Sequence, residues 1–291
     1  MDMGHRVILV DLFFGVERLP SPVSDAFLHC ERIPSYRVPK DAPDIAAIRA
    51  SRKSGFSDSI GSGVLALCRA ADITYLALHG DCGEDGSLQA FFDMADVRYT
   101  GSPSIGCALA MNKFVSKQLL HAAGLLTPAC MLLKKDAAFD RAAVPMPCVV
   151  KPCCGGSSIG ISIAHDQKEF DDALAVAFRY EEEVLVEEYV KGRELSAGIL
   201  GDEALPLIEI IPKEGFYDYA NKYQPGLTTE ITPARFPADV TARIQADALK
   251  GFRALQLSVY GRLDFLLTDD GRAYCLEANT LPGMTPTSLL P

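Results

Sequence analysis

Residues 262–284 read RLDFLLTDDGRAYCLEANTLPGM, and this stretch decides the fold. Two apolar runs flank Asp270-Gly271, a dipeptide typical of a tight β-hairpin turn. A two-residue turn there places Asp269 opposite Arg272. Further along the hairpin, the same register pairs four polar residues: Asp264 with Glu277, and Arg262 with Asn279. Because side chains on a strand alternate between its faces, all four are predicted to share one face.

The two facing carboxylates predict a metal site. Carboxylates directly opposite each other on neighbouring strands lie about 5 Å apart at Cβ and repel. Their apolar neighbours, such as Leu263 and Phe265, indicate that both faces are partly covered, and buried acids need a cation. Two carboxylates and an amide oxygen are hard ligands that suit Mg²⁺ (or Mn²⁺), which commonly also takes substrate phosphates. We therefore predict metal ligation by Asp264, Glu277 and Asn279; an exposed edge hairpin with ordinary surface acids is the alternative.

The motifs R-x-D, L-E-A-N-T-x-P-G-M-T and S-L-x-P follow one another between Arg262 and Pro291. This order resembles the end of the D-alanine–D-alanine ligases, a branch of the ATP-grasp superfamily. The resemblance implies a mixed α/β and α+β protein: an ATP-grasp fold with an incomplete Rossmann-like N-terminal domain. It implies a substrate-side domain over 1–112, a central subdomain with a glycine-rich flap over 113–187, and a C-terminal subdomain with the metal site over 188–291.

Composition narrows the class of protein. The chain has 291 residues, of which 48% are hydrophobic and 23% charged, as expected for a globular protein of two or three domains. The net charge of −10 argues against nucleic acid as a partner. Nine cysteines without a secretory leader favour reduced thiols and a cytoplasmic location. The early apolar run over 7–14 is broken by Asp11 and is too short to span a membrane.

The N-terminal region departs from the family pattern. Residues 6–15, RVILVDLFFG, are typical of a buried strand, yet no βα unit precedes them. The family normally carries a first strand and a Ser-x-Glu-Arg motif there, so Glu17 is interpreted as a surface loop residue. The resemblance thus implies that part of the substrate site is missing. Residues 20–63 are predicted to form an irregular excursion with a short helix near 44–51, and 73–78 a buried strand.

The loop HGDCGEDG, residues 79–86, follows that predicted strand. Ligands bind at the carboxyl ends of strands in open α/β sheets. Asp85 is placed to cap a helix running to about Ala95. The loop resembles the family's first-domain signature, which implies that His79 and Glu84 face the substrate. A tight turn with a capping acid is the alternative, but it does not explain His79 and Glu84 together.

A second glycine-rich loop lies within PCVVKPCCGGSSIGISI, residues 147–163. The spacing of a P-loop is absent, and a second β pattern follows, so the stretch predicts a strand–loop–strand hairpin. Backbone N–H groups of such a loop can cradle phosphate, with Lys151 adding positive charge. It resembles the mobile ATP-grasp flap, which implies a catalytic-side role for Ser157 at its tip. Cys153-Cys154 lacks C-x-x-C spacing and is interpreted as a reduced, incidental pair rather than a redox centre.

The resemblance assigns the remaining site residues by position. The ATP-binding positions are Lys113, Lys151, Glu187, Val190, Glu194 and Lys222. The catalytic positions are Arg262, Ser157 and Tyr223, and the substrate-binding positions are His79, Glu84, Gly283, Ser288 and Leu289. Without the family, the acids near the strand end at 184–190 would be solvated surface charges, and the aromatic loop over 215–223 would simply pack onto the core.

The activity implied is ATP-driven joining of two D-alanines for peptidoglycan precursors. One carboxylate would attack the γ-phosphate, the resulting acyl phosphate would meet the second amine, and Arg262 would stabilise the oxyanion. Family members are commonly dimers, so the resemblance implies a possible homodimer. The small-molecule partners it implies are ATP and amino-acid substrates. Two alternatives remain: a truncated or non-catalytic nucleotide-binding paralogue, and an ATP-grasp ligase for other amino or hydroxy acids.

Overall fold

The structure is a computed structural model that describes residues 3–28, 44–52, 59–80, 82–156, 159–213, 228–285 and 288–290. The chain divides into two compact units, Met1–Tyr75 with Phe91–Thr100, and Leu76–Ala90 with Gly101–Pro291. Among the described helices, none combines the length and the hydropathy that a membrane crossing requires.

The first unit is built from short helices. A 3-10 helix spans Val23–Leu28, followed by α1 over Ile45–Ser51 and α2 over Val64–Ala70. The Asp44 carboxylate caps α1 by accepting the backbone N–H of Ala47 at 3.0 Å, as expected of an aspartate before a helix. The short helix predicted near 44–51 is therefore confirmed. Helix α3 spans Ser87–Met94, and only its residues from Phe91 onward belong to this unit.

The two buried strands predicted over 6–15 and 73–78 are wrong. Where the structure describes this region, pairing is limited to isolated parallel bridges, Gly15 with Ser62 and Thr74 with Tyr99. The apolar side chains are between 49% and 69% exposed at Val7, Leu9, Ile73 and Tyr75. An apolar run indicates a preference for burial, but a strand also needs a neighbouring chain with which to form a ladder.

The second unit contains a four-stranded antiparallel sheet in the order β1-β4-β2-β3. Its strands are β1 (Cys130–Lys134), β2 (Cys148–Pro152), β3 (Ser162–Ala164) and β4 (Glu183–Glu188). Helix α6, Gln167–Ala177, covers one face with buried apolar side chains such as Phe170 and Leu174. The pair β2–β3 confirms the predicted strand–glycine loop–strand hairpin.

A six-stranded antiparallel sheet forms the rest of this unit, in the order β10-β9-β5-β7-β8 with the short β6 paired to β5. Its strands are β5 (Arg193–Leu200), β6 (Glu203–Ala204), β7 (Ile208–Pro212), β8 (Thr228–Ile231), β9 (Tyr260–Leu267) and β10 (Ala273–Asn279). The helices are α4 (Ser104–Met111), α5 (Lys113–Ala122) and α7 (Ala238–Ala254).

Alternation along these strands separates an apolar face from a polar one. Leu195, Leu263 and Phe265 point into the core, where they meet buried residues of α7 such as Ile244. Between them on β5 and β9, the polar or charged residues Glu194, Ser196, Arg262 and Asp264 alternate with these positions and point away from that core. The candidate site therefore lies on the face of the sheet opposite α7.

The β9–β10 turn is one residue longer than predicted. The Thr268 N–H donates to the Arg272 carbonyl at 2.9 Å, so Thr268, and not Asp269, stands opposite Arg272. A β-bulge at Leu276, just before Glu277, then takes up the extra residue. The error at the turn is thus cancelled before the ladder reaches the acids.

Candidate functional site

The hairpin brings the predicted acids together. Asp264 is directly opposite Glu277, and Arg262 is directly opposite Asn279. Residues directly opposite in an antiparallel pair share a face, so the predicted juxtaposition is confirmed. On the other side of β9, Ser196 of β5 also lies opposite Asp264.

The Asp264 carboxylate is surrounded by donors. Arg262 donates from Nε to Oδ1 at 2.9 Å and from Nη2 to Oδ2 at 3.1 Å. The Ser196 hydroxyl donates to Oδ1 at 2.8 Å, and the Asn279 amide donates to Oδ2 at 3.0 Å. A carboxylate offers about four lone-pair positions, and these four hydrogen bonds use them. Arg262 was predicted to act on substrate, but here it also neutralises the acid beside it.

The oxygen donor set fits a hard divalent cation. Asp264, Glu277 and Asn279 supply two carboxylates and one amide, which is the ligand chemistry of Mg²⁺. Within the described ranges, no group of three or more His, Cys, Asp or Glu side chains is placed to hold a metal. An ion here would therefore complete its coordination with water or phosphate oxygens and would displace at least one donor from Asp264.

A second charged cluster is centred on Glu187 of β4, which is only 2% exposed. Its Oε1 lies 2.9 Å from Lys117 Nζ on α5, and its Oε2 lies 2.9 Å from Lys151 Nζ on β2. Burial alone would raise the pKa of Glu187, but the two ammonium groups outweigh it and lower the pKa. The carboxylate therefore stays charged inside the protein.

The cluster holds Lys151 in its charged form. Burial would lower the pKa of the Lys151 ammonium, but the carboxylates of Glu187 and Glu277 outweigh that effect and raise it. Lys151 and Glu277 also line one cleft, and its other lining residues are Lys113, Pro152, Gly155, Gly156, Ile159 and Ile161. The acids of one sheet and the lysines beside the other thus meet at the glycine-rich loop.

Lys113 ties helix α5 to that loop. Its backbone N–H donates to the Cys153 carbonyl at 3.0 Å, and its ammonium donates to the Gly155 carbonyl. Burial lowers the pKa of Lys113, nearby Lys151 adds to the effect, and Glu277 opposes it. The sequence indicated Lys113 only through its family position, and the structure places it in the cleft.

Glu84, which follows the predicted strand, approaches the same acids. Glu84 Oε2 accepts the Gly80 N–H at 2.6 Å. Burial raises the pKa of Glu84, and the charge of Glu277 adds to this effect. The hydrogen bond from Gly80 and the charges of His79 and Arg262 act in the opposite direction. Within the second unit, the predicted substrate-side residues therefore lie near the hairpin. The predicted cap is also confirmed, since Asp85 accepts the backbone N–H at the start of α3 at 2.8 Å.

The structure also describes five other predicted positions and the residues next to them. Val190 is half-buried between β4 and β5, and Glu194 is half-buried on β5, two residues before Ser196 on the same face. A Cβ on Gly283 would come within 2.5 Å of the Ser288 hydroxyl, which itself accepts a backbone N–H at 3.0 Å. Leu289 is half-buried beside it. Three predicted residues, Ser157, Lys222 and Tyr223, lie outside the described residues.

Sequence reasoning missed Lys117, Ser196 and Glu230. Burial raises the pKa of Glu230 on β8, and Arg262 opposes that effect, so a further acid reaches the same arginine. A signal for Lys117 was present. The buried positions of α5 are Lys113, Ser116, Lys117 and Leu120, which follow helical spacing. A core-facing stripe that contains lysines predicts a buried acid opposite them.

Comparisons with known proteins agree with this geometry. The family pattern described as "D-ala D-ala ligase C-terminus" matches residues 119–291, and "D-ala D-ala ligase N-terminus" matches residues 28–102. The chain belongs to the D-alanine–D-alanine ligase family. Members of this family have the ATP-grasp fold, so the predicted fold class is confirmed.

Two relatives in this family are named D-alanine–D-alanine ligase. The one from Pediococcus pentosaceus is 39% identical over 99% of this chain and 83% of its own length. The one from Geotalea uraniireducens is 46% identical over 76% of this chain and 72% of its own length.

Solved structures lead to the same family. A D-alanine–D-alanine ligase from Bacillus anthracis complexed with ATP has a TM-score of 0.68 and 34% identity, covering 77% of this chain and 72% of that one. The VanG D-Ala:D-Ser ligase from Enterococcus faecalis has the same TM-score and identity, 0.68 and 34%, covering 76% and 67%.

Proposed function

We propose that this chain is an ATP-dependent ligase that joins two D-alanines through an acyl phosphate, for peptidoglycan precursor synthesis. One observation carries the proposal: the hairpin acid Glu277 and the lysines Lys113 and Lys151 line a single cleft at the glycine-rich loop. Acids that can hold a divalent cation, next to lysines that can hold phosphate, form the arrangement that phosphoryl transfer requires. The names of the relatives support D-alanine as the substrate.

Asp264, Glu277 and Asn279 would hold the metal. When bound, Mg²⁺ supplies positive charge that neutralises phosphate oxygens. Lys113 and Lys151 orient the γ-phosphate from the other wall of the cleft, and the loop that carries Gly155 and Gly156 offers backbone N–H groups to it. We also assign Lys222 to the γ-phosphate. Glu187, Val190 and Glu194 are assigned to the adenine and ribose side.

The carboxylate of the first D-alanine attacks the γ-phosphorus, and ADP leaves. The amine of the second D-alanine then attacks the acyl carbon, and phosphate leaves as the amide forms. Arg262 stabilises the oxyanion of that second step, since its planar guanidinium can turn from Asp264 to a substrate oxygen. His79, Glu84, Gly283, Ser288 and Leu289 position the two amino acids, and Ser157 and Tyr223 complete the catalytic group.

We further propose three working parts, over 1–112, 113–187 and 188–291, for the substrate side, the flap and the metal side. The chain is assigned to the cytoplasm, where ATP and D-alanine are available, and to a homodimer. Nine cysteines in the sequence support a reducing compartment, as does the free state of the eight cysteines that the structure describes.

Phosphate release from ATP tests the assignment. Purified protein is assayed with Mg²⁺ and each of a set of D-amino acids, L-amino acids and D-hydroxy acids, and the products are identified by mass spectrometry. Rapid phosphate release and a dipeptide with D-alanine alone are the expected results. A faster reaction with D-alanine plus D-serine, or with a hydroxy acid, would contradict the D-alanine assignment. ATP binding without phosphate release from any substrate would identify a non-catalytic paralogue.

A further inference from the structure

Lys117 is a buried cation that the catalytic assignment does not use. It is 2% exposed on α5, and it is not among the residues that line the cleft. Its ammonium lies 2.9 Å from Glu187 Oε1, so the two groups form a buried ion pair.

The second oxygen of Glu187 belongs to Lys151. Lys151 Nζ lies 2.9 Å from Oε2, and its side chain is 7% exposed. Unlike Lys117, Lys151 does line the cleft, together with Gly155 and Glu277. Each lysine therefore pairs with one oxygen of the same carboxylate, and of the two only Lys151 lines the cleft.

One carboxylate neutralises only one ammonium. With Lys117 absent, both oxygens of Glu187 would be available to Lys151, and the buried pair would be electrically complete. With Lys117 present, the three groups carry one excess positive charge in a site of low dielectric, where charges interact strongly. Lys151 is the member of the group that lines the cleft. Among the other lining residues, Lys113 balances Glu277, so the excess charge is offered there to an anion.

We propose that Lys117 is a positioning residue, which keeps the Lys151 ammonium available to a phosphate group by occupying one oxygen of Glu187. This inference rests on the proposed nucleotide site. It deepens that proposal by explaining how a lysine that is already paired with an acid can still bind an anion. The ligand class it names is an oligophosphate.

Calorimetry with three ligands separates this role from simple support of the fold. Mg-ATP, adenosine and inorganic tripolyphosphate are titrated into wild type, Lys117→Met and Lys117→Arg. We expect Lys117→Met to weaken tripolyphosphate about tenfold, because this ligand meets Lys151 and has no adenine that could contact Glu187. Adenosine reports separately on the adenine side, to which Glu187 is assigned. Lys117→Arg, which keeps the charge, should restore most of that loss. The matched control is Lys168→Met, at a lysine whose side chain is 86% exposed on α6.

A double-variant cycle tests whether Lys117 acts through Lys151. Lys151→Met alone should weaken ATP binding, and adding Lys117→Met should weaken it by less than about twofold more, because residues that act as a unit are not additive. Full additivity, or unchanged tripolyphosphate binding by Lys117→Met, would overturn the proposal. The proposal would also be overturned if thermal melting showed that Lys117→Arg folds while Lys117→Met and Lys117→Gln do not. Wild type that binds tripolyphosphate but not ATP would refute the nucleotide assignment alone, and the tripolyphosphate series would still decide the role of Lys117.

Discussion

The two sheets of the second unit each carry a cluster of charged side chains, and the signs of the charges are reversed between the two clusters. On the six-stranded sheet, the Arg262 guanidinium is paired with Asp264, and the charges of Glu84 and Glu230 also reach it. Beside the four-stranded sheet, the Glu187 carboxylate lies between Lys117 and Lys151. In each cluster, one charge is surrounded by groups of the opposite sign.

The difference teaches what each sheet can bind. Excess negative charge around a cation is suited to a metal ion, and excess positive charge around an acid is suited to phosphate. Glu277 and Lys151 line one cleft, so a negative group and a positive group meet there. A nucleotide with its metal carries both signs and can satisfy both walls at once.

The largest effect is expected when negative charge is removed from the acidic cluster on the six-stranded sheet. Glu277→Gln should lower ATP turnover with D-alanine by roughly 10³-fold, because the metal loses a charged ligand. Phosphate release at saturating Mg²⁺ measures the effect, and thermal melting should show a folded protein. Asp269→Asn, at an exposed acid of the same hairpin, is the control and should keep wild-type turnover. Near-normal turnover of Glu277→Gln would refute the metal site.

On the lysine side, the first effect expected is on stability. Glu187→Gln leaves two buried ammonium groups facing a neutral amide, and breaking a buried pair in this way costs about 3 kcal/mol in free energy of unfolding. Chemical denaturation measures it. The control is Glu183→Gln in the exposed pair with Lys134, which should change stability by less than about 1 kcal/mol. Equal effects of the two variants would show that the buried cluster has no special role.

The same variant gives a pH dependence of defined sign. The pKa of folded Glu187 lies below its ordinary value of 4.5, so folding releases a proton from this group at acid pH. Its stabilising contribution is therefore complete above about pH 4.5 and is lost as the pH falls through the lowered pKa. We expect the stability gap between wild type and Glu187→Gln to stay constant between about pH 6 and 8 and to narrow below 4.5. A gap that widens on acidification would contradict the assignment.

The smallest effect is expected for an ion pair in which one cation meets one acid. Arg193 donates two hydrogen bonds to Glu209, at 2.6 and 2.7 Å, and lies 4.1 Å from the ring centroid of Phe236. One cation meets one acid, so the pair leaves no excess for a ligand. Arg193→Lys should cost about 1 kcal/mol of stability, since lysine cannot reproduce the fork or the stacking, and turnover should not change. The exposed Arg253, 3.4 Å from Asp202, provides the control Arg253→Lys, for which no change is expected.

The sequence predicted the acids better than it predicted the turn that was used to find them. The pairing of Asp264 with Glu277 is correct, although Thr268 replaces Asp269 opposite Arg272. Period-two alternation and a buried face fix which side chains meet, whereas a bulge leaves little trace in a pattern of apolar residues.

Two other outcomes show where pattern reasoning fails. The apolar run over 6–15 forms no strand among the described residues, because hydrophobicity in sequence cannot supply a neighbouring chain. Lys117 was missed because a lysine on a helix is usually solvated. Its place in the buried stripe of α5 is visible only when the whole helix is considered.

The bulge at Leu276 has a practical consequence for protein engineering. It already compensates for one extra residue at the end of the hairpin, and the turn residues Asp269 and Asp270 are exposed. The tip is thus mechanically insulated from the acids farther along the ladder. An epitope tag or a fluorescent reporter inserted between these two aspartates would report on the protein without shifting the alignment on which its chemistry depends.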